Sequence, residues 1–154
     1  MKFFFHKNKI LLFPVETIVR ELDYRLILAV LCASPDWQII FGHHVHLVRV
    51  ARNIKNAVVF LKDTWGNLYD IYKKNNIRVL HLDEEGGIYE GDKRNWENIL
   101  LERLDVKKIR PDDYVCTWGG FQQTYYRSFD PACYDNIVVT GNPRFQLGRP
   151  SYSS

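Results

Sequence analysis

The sequence has few cysteines, little net charge and no long hydrophobic run. Its three cysteines show no CxxC or CxH spacing, which argues against a disulfide framework and against a structural zinc site. The net charge of +3 is too small and too dispersed to indicate nucleic-acid binding. The longest apolar run, Leu26–Ala33, is far shorter than the ~18–20 residues that cross a bilayer.

The start of the chain also differs from a secretory signal peptide. Met1–Phe5 contains Lys2 and three phenylalanines, but polar residues at positions 6–9 interrupt it before an apolar core of ~7–15 residues can form. We therefore expect a cytoplasmic protein with no nucleic-acid partner. Membrane contact is expected to be at most peripheral, at the inner face of a membrane.

What the sequence does contain is typical of one globular domain. Hydrophobic residues make up 46% and charged residues 25% of 154 residues, which excludes a disordered or fibrous chain. A chain of this length can bury a proper core.

Short apolar runs alternate with stretches of helical periodicity. Runs that are apolar throughout predict strands covered on both sheet faces, and helices between them predict right-handed crossovers and parallel pairing. The predicted fold is a doubly wound α/β domain with a mainly parallel, six-stranded, Rossmann-like sheet. The predicted strands are Lys9–Phe13, Trp37–Phe41, Ala57–Leu61, Ile77–Leu82, Tyr114–Thr117 and Ile137–Val139. The predicted helices are Arg20–Ala33, His46–Ile54, Leu68–Asn75, Trp96–Leu104 and Phe121–Phe129.

Distinctive clusters follow four of the predicted strands. Open parallel sheets bind ligands beyond the carboxyl ends of their strands, so these clusters are expected to meet at one edge of the sheet. They are Pro14-Val15-Glu16 with Arg20-Glu21-Leu22-Asp23, then Asp83-Glu84-Glu85-Gly86-Gly87, Thr117-Trp118-Gly119-Gly120 and Gly141-Asn142-Pro143-Arg144-Phe145.

Each charged cluster has a structural interpretation beside a functional one. Glu16 and Glu21 could serve a helix N-terminus, where the dipole favours a carboxylate by ~0.3–1 kcal/mol. Arg20 could pair with Asp23 or Glu16 on a solvated face. The carboxylates at positions 83–85 could form a solvated acidic turn, or a general base tuned by its neighbours together with groups that hold sugar hydroxyls.

The remaining clusters also allow two interpretations. Gly119 and Gly120 would let a ligand approach the backbone, although two glycines without GxGxxG spacing are a weak phosphate signal. Trp118 is expected to be half core and half binding platform. Arg144 could contact an anion, or it could lie in a structural hinge.

Histidine and cysteine give little indication of a metal. No carboxylate or cysteine accompanies His43-His44-Val45-His46, so we expect no metal there, and at most one neutral histidine that contacts a ligand. Cys32 and Cys116 are expected to be small core residues, and Cys133 gives no indication.

These clusters, in their order along nearly the whole chain, resemble the bacterial surface-carbohydrate (surface polysaccharide) biosynthesis proteins. That group is related to the two-domain GT-B glycosyltransferases and to the CDP-glycerol glycerophosphotransferases. The resemblance implies that residues 1–147 form a Rossmann-like, acceptor-side N-terminal domain. Residues 148–154 would be a frayed tail or the start of an interdomain linker.

The resemblance also implies which partners and residues would act. The acceptor would be a carbohydrate or a lipid-linked molecule, while the nucleotide-activated donor would bind a second domain, so no cofactor is expected on this chain. The chain alone would then be inactive; the alternatives are a non-catalytic binding or scaffold subunit that docks a separate donor domain, or a fragment of a nucleotide-sugar epimerase. The implied catalytic residues are Glu16, Glu84 and Glu85, and the implied substrate-binding residues are Arg20, Asp83, Gly86, Trp118, Gly119, Asn142 and Arg144, with no metal ligands.

Overall fold

Six parallel strands form the sheet, and helices connect them. The computed structural model describes residues 9–64, 66–84, 90–129 and 135–146. The strands are hydrogen-bonded in the order β2-β1-β3-β4-β5-β6, which confirms the predicted doubly wound α/β fold. The strands are β1 (Lys9–Pro14), β2 (Trp37–Gly42), β3 (Ala57–Leu61), β4 (Arg78–Leu82), β5 (Tyr114–Thr117) and β6 (Ile137–Val139). The helices are α1 (Ile18–Cys32), α2 (His44–Ala51), α3 (Leu68–Lys74), α4 (Lys93–Arg103), α5 (Gly120–Arg127) and α6 (Pro143–Gln146), with a 3₁₀ turn at Val106–Lys108.

Helix ends account for the main differences from the predicted bounds. Helix α4 begins three residues before Trp96, because the Asp92 side chain accepts a hydrogen bond from the Asn95 N–H at 3.1 Å and caps the first turn. Helix α2 begins at His44, two residues earlier than predicted, and ends at Ala51. Apolar periodicity locates a helix better than it locates its ends.

The chain divides into two compact units. Unit 1 comprises the described residues up to Phe60 together with Asp70–Arg78. Unit 2 comprises Leu61–Tyr69 and the described residues from Val79 onward. Across the part of the chain that the structure describes, none of the helices has the length and apolar character needed to span a bilayer.

The core of unit 1 is built on the buried strand β1. The Phe13 ring stacks between Phe41 and Phe60, with ring centroids 5.1 and 4.3 Å away. On the opposite face of the sheet, a Cβ at Gly42 would lie 3.3 Å from the Leu47 side chain, so α2 packs closely there. Because the β1–β2 and β2–β3 crossovers run in opposite directions along the sheet, α1 and α2 cover opposite faces.

Helix α1 turns an unexpected face toward the core of unit 1. Its buried side chains are Glu21, Tyr24, Arg25 and Ala29. Most of the large apolar residues whose spacing predicts the helix are exposed instead. Cys32, expected in the core, is also exposed, because it lies in the last turn of this helix.

Unit 2 has one well-covered sheet face and one that is partly open. His81, Val115 and Ile137 are register partners across β4, β5 and β6, and all three are buried. On the other face Tyr114 is 49% exposed, and Cys116 is only half-buried. The β4–β5 and β5–β6 crossovers run in the same direction and place α4 and α5 on the same face, so these strands are less covered on the other face.

A buried carboxylate fixes the edge of unit 2 where β4 and β5 begin. The Asp113 side chain is fully buried, and its Oδ1 accepts the Val79 N–H at 2.8 Å. Its Oδ2 accepts the Tyr69 hydroxyl at 2.7 Å and the Arg110 N–H at 3.2 Å. Burial and the hydrogen bond to Asp113 raise the pKa of Tyr69 well above its ordinary value, so the hydroxyl stays protonated as a donor.

Candidate functional site

A charged cavity of about 230 Å³ lies in unit 2, where β3 and β4 end. We call it the unit 2 pocket. Four carboxylates and two cations contribute to its wall, together with one aliphatic side chain. Its lining residues are Lys62, Asp63, Asp83, Glu84, Ile99, Glu102 and Arg103.

Two hydrogen bonds attach the end of α4 to the loop after β3, and these bonds set the width of the unit 2 pocket. The Thr64 N–H donates to the Arg103 carbonyl oxygen at 3.1 Å. The Thr64 hydroxyl oxygen in turn accepts the Asp105 N–H at 2.9 Å. Thr64 is buried, so these two hydrogen bonds are shielded from water and set the position of the helix end.

The carboxylates after β4 have different surroundings. Asp83 Oδ1 lies 3.1 Å from Arg103 Nη1, and both side chains are less than a third exposed, so the pair is held in a defined geometry. Glu84 is only 6% exposed and lines the cavity. A buried carboxylate beside a cavity is the kind of group that can accept hydroxyl hydrogens from a small polar ligand.

Three of the predicted segments meet at this place. The Trp118 indole N–H donates to the Asp83 carbonyl oxygen at 2.6 Å, and Asn142 Nδ2 lies 3.5 Å from the Glu84 carbonyl oxygen. The Phe145 ring packs edge-on against Trp118 with centroids 5.2 Å apart. The segments after β4, β5 and β6 therefore converge, as expected for neighbouring parallel strands.

Gly119 and Arg144 border the same region. Gly119 caps α5, and a Cβ there would meet nothing within 4 Å, so the backbone faces open space. Arg144 is exposed at the start of α6, and its N–H donates to the Asn142 side-chain oxygen at 2.8 Å. The anion-binding role of Arg144 stays a prediction. The predicted site residues Glu85 and Gly86 lie outside the described residues, as does Cys133.

The other two predicted site residues, Glu16 and Arg20, lie in unit 1. Arg20 Nη2 is 3.1 Å from Glu21 Oε1, and Glu21 Oε2 accepts the Glu16 N–H at 2.7 Å. Glu21, 1% exposed, therefore stabilises the first turn of α1, which is the structural interpretation considered for it. Glu16 Oε1 lies 3.4 Å from His44 Nδ1, so Glu16 is placed against the histidine cluster.

The three histidine rings lie near one another, in tilted and edge-on arrangements. The His43 and His44 rings are 4.1 Å apart, and His43 and His46 are 6.5 Å apart. Within the described ranges, no group of three or more His, Cys, Asp or Glu side chains is arranged to hold a metal ion. Burial raises the pKa of the Cys116 thiol, which keeps it in the protonated, less nucleophilic form.

Several residues of the unit 2 pocket are missing from the sequence prediction. Lys62 and Asp63 directly follow β3, so the strand-end rule applied to the other strands would have identified them. Arg103 and Glu102 lie in the last turn of α4, where charges are usually solvated, and nothing in the sequence distinguishes them. The buried His81 is the fourth of the five residues of β4 and lines a second cavity of about 10 Å³, room for one water at most.

Comparison of the chain with protein-family models, with curated proteins and with solved structures finds no match.

Proposed function

We propose that this chain is the acceptor-side domain of a GT-B-type glycosyltransferase, or of a related glycerophosphotransferase, in surface polysaccharide biosynthesis. The acceptor sugar would occupy the unit 2 pocket, and the activated donor would bind a separate domain. One observation carries the proposal. Asp83 and Glu84 supply carboxylates to the pocket wall, and their backbone carbonyls meet the side chains of Trp118 and Asn142.

The chemistry of the pocket wall suits a polyhydroxylated ligand. Carboxylate oxygens accept hydrogen bonds from hydroxyl groups, and the cations Lys62 and Arg103 balance part of the negative charge. A volume of about 230 Å³ is below the range of roughly 300–1,000 Å³ for drug-sized ligands, so one terminal sugar unit is the appropriate size. Because carboxylates outnumber cations, neutral or amino sugars are favoured over acidic ones.

Among the predicted catalytic residues, Glu84 is the one that we assign as the base. An inverting transfer needs a carboxylate within hydrogen-bond reach of the acceptor hydroxyl, whose proton it takes as that oxygen attacks the anomeric carbon. Both carboxylates line the cavity; that of Asp83 is held by Arg103 and would orient the acceptor, and that of Glu84 would act as the base. Glu16 lies in unit 1 beside His44, and its catalytic role stays a prediction.

Ligand-observed NMR tests the binding half of the proposal. A panel of methyl glycosides of neutral hexoses, hexosamines and uronic acids is titrated against the whole chain. We expect dissociation constants of about 1–10 mM for the neutral and amino sugars and weaker binding of the uronic acids. Glu84→Gln should weaken binding at least about fivefold, because it removes a charged acceptor. Glu97→Gln, a carboxylate on α4 paired with Lys93, is the matched control and should bind like wild type. Equal binding by the Glu84 and Glu97 variants would contradict the proposal.

A non-catalytic binding subunit is the second candidate function. Phe145 is 63% exposed although it packs on Trp118, and an exposed aromatic side chain next to a pocket is typical of a docking surface. Sugar transfer, measured with the chain and its donor domain together, distinguishes the two candidate functions. Glu84→Gln should abolish transfer if Glu84 is the base, and transfer at the wild-type rate would favour the docking subunit.

A further inference from the structure

Helix α1 carries an apolar stripe on the side away from the core. Val19, Leu26 and Val30 are 96%, 43% and 72% exposed, and Ile27 borders them on one side with 37%. We call these four residues the α1 stripe. The three central residues are seven and four positions apart, which is the spacing of a coiled-coil seam.

The stripe is separate from the residues that attach α1 to unit 1. The buried side chains Glu21, Tyr24 and Arg25 lie on the opposite side of the helix, because 100° of rotation per residue puts them about half a turn from Val19 and Val30. The buried face therefore carries Glu and Arg side chains beside Tyr24 and Ala29, whereas Val, Leu and Ile side chains are exposed, which is the reverse of the usual amphipathic pattern. Such a surface is expected to be covered.

The size of the α1 stripe indicates a protein interface. Its exposed side chains form a contiguous apolar patch of the order of a few hundred Å², the size at which exposed patches mark interaction sites. Two such stripes packed together would give an interface at the low end of the size range, as found for weak, reversible complexes.

We propose that the α1 stripe packs against the same stripe of a second copy of this chain, as an antiparallel helix pair about a two-fold axis. A self-complementary patch is what a two-fold interface requires. The helix of 15 residues gives a seam of about 22 Å. Val19 of one copy would face Val30 of the other.

The charge of Asp23 selects this orientation. Asp23 is exposed and lies within the seam, between Val19 and Leu26. Parallel packing would put the two Asp23 carboxylates opposite each other, which is unfavourable. Antiparallel packing places each Asp23 near Leu26 of the other copy, from where its carboxylate can reach water.

The charged residues of α1 also argue against a lipid surface as the partner of the α1 stripe. An interfacial helix normally carries Lys or Arg beside its apolar face, where they meet anionic headgroups. Helix α1 has two arginines, of which Arg25 is buried and Arg20 pairs with Glu21. The exposed charge within the stripe is the carboxylate of Asp23, which anionic lipid repels.

Sedimentation velocity of the whole chain tests the proposal. We expect a monomer–dimer equilibrium with a dissociation constant in the micromolar range. Val30→Lys should weaken dimerisation at least about tenfold, because it places a charge in the seam. Leu101→Lys, at an exposed apolar position of α4, is the matched control and should leave the dimer unchanged. Circular dichroism melting checks that both variants fold; should Val30→Lys not fold, Val19→Lys replaces it.

Orientation is tested by crosslinking in a Cys32→Ser background. A short bis-maleimide should join Val19→Cys chains to Val30→Cys chains in a mixture more efficiently than it joins either variant to itself. A chain that stays monomeric at about 200 µM, or a dimer that Val30→Lys leaves intact, would overturn the proposal. Flotation of the wild-type chain with anionic vesicles, lost in Val30→Lys, would overturn it in favour of a membrane surface.

Discussion

Two buried glutamates, one in each unit, have opposite surroundings. Glu21 in unit 1 gives one oxygen to the Glu16 N–H at 2.7 Å and the other to Arg20 at 3.1 Å. Glu84 in unit 2 is similarly buried but lines a cavity of about 230 Å³. Burial therefore does not identify a functional carboxylate. What distinguishes the two is that Glu21 holds the start of a helix, whereas Glu84 borders a space that a ligand can fill.

The largest expected effect concerns a third carboxylate, Asp113. Asp113→Ala would leave the Val79 N–H, the Arg110 N–H and the Tyr69 hydroxyl without their buried acceptor. We expect a loss of about 3–5 kcal/mol in the free energy of unfolding, measured by urea denaturation. A loss below about 1 kcal/mol would contradict the structural role of this side chain.

Two tyrosines, Tyr69 and Tyr72, lie on α3, and the burial of Tyr72 predicts how stability changes at high pH. Burial raises the pKa of Tyr72 from 10.0 to about 12. Below pH 10 the Tyr72 hydroxyl is protonated in both the folded and the unfolded state, and its full contribution to stability is present. Between about pH 10 and 12 the unfolded chain releases the proton first, so stability should fall by up to about 1.4 kcal/mol per pH unit. Urea denaturation at pH 9, 10 and 11 measures this slope, and Tyr72→Phe should reduce it.

A third expected effect is the cost of removing the charge of Glu21. Glu21→Gln keeps the shape of the side chain but weakens the bonds to the Glu16 N–H and to Arg20. We expect the free energy of unfolding to fall by about 1.5–3 kcal/mol. Asp23→Asn, an exposed residue of the same helix, is the control and should change stability by less than about 0.5 kcal/mol.

At pH 7, replacing Tyr69 by Phe and replacing Tyr72 by Phe should have different effects on the free energy of unfolding. Among the described residues the Tyr72 hydroxyl has no hydrogen-bond partner, whereas the Tyr69 hydroxyl donates to Asp113. Tyr72→Phe is therefore expected to be neutral or to stabilise by up to about 1 kcal/mol, and Tyr69→Phe to destabilise by about 1–2 kcal/mol. Thermal melts at neutral pH give both values, and equal losses would contradict the difference in surroundings.

A small stability effect is expected at Glu84. Glu84→Gln retains the shape of the side chain in a residue that borders a cavity, so we expect a change below about 1 kcal/mol in urea denaturation. A loss as large as that of Glu21→Gln would show that Glu84 holds the fold together, and it would remove the distinction drawn between the two units.

The sequence predicts the architecture well because the strands are apolar throughout. Six such runs separated by helical spacing leave few alternatives to a parallel sheet, and the strand-end rule then brings Asp83, Trp118 and Asn142 together. The orientation of α1 could not be predicted in the same way. Periodicity shows that Leu26 and Val30 share a helix face, but it does not show whether that face meets the core of its own unit.

The role of single polar residues is still harder to predict from sequence. Asp113 precedes β5 like an ordinary turn residue, and its three hydrogen bonds depend on groups up to 44 positions away. Arg103 becomes a pocket residue because Thr64, 39 positions earlier, fixes the end of α4. Contacts of this kind arise from tertiary packing, which local patterns do not encode.

The most direct test of the central claim follows the indole N–H of Trp118, which donates to the Asp83 carbonyl beside the unit 2 pocket. Two-dimensional ¹H–¹⁵N NMR during titration with a neutral methyl glycoside reports this group separately from the other tryptophans. We predict that the Trp118 indole resonance and the amide resonances of Asp83 and Glu84 move together and saturate. A Trp118 resonance that stays in place while the amides around Glu16 and His44 shift would contradict the assignment of the site to unit 2.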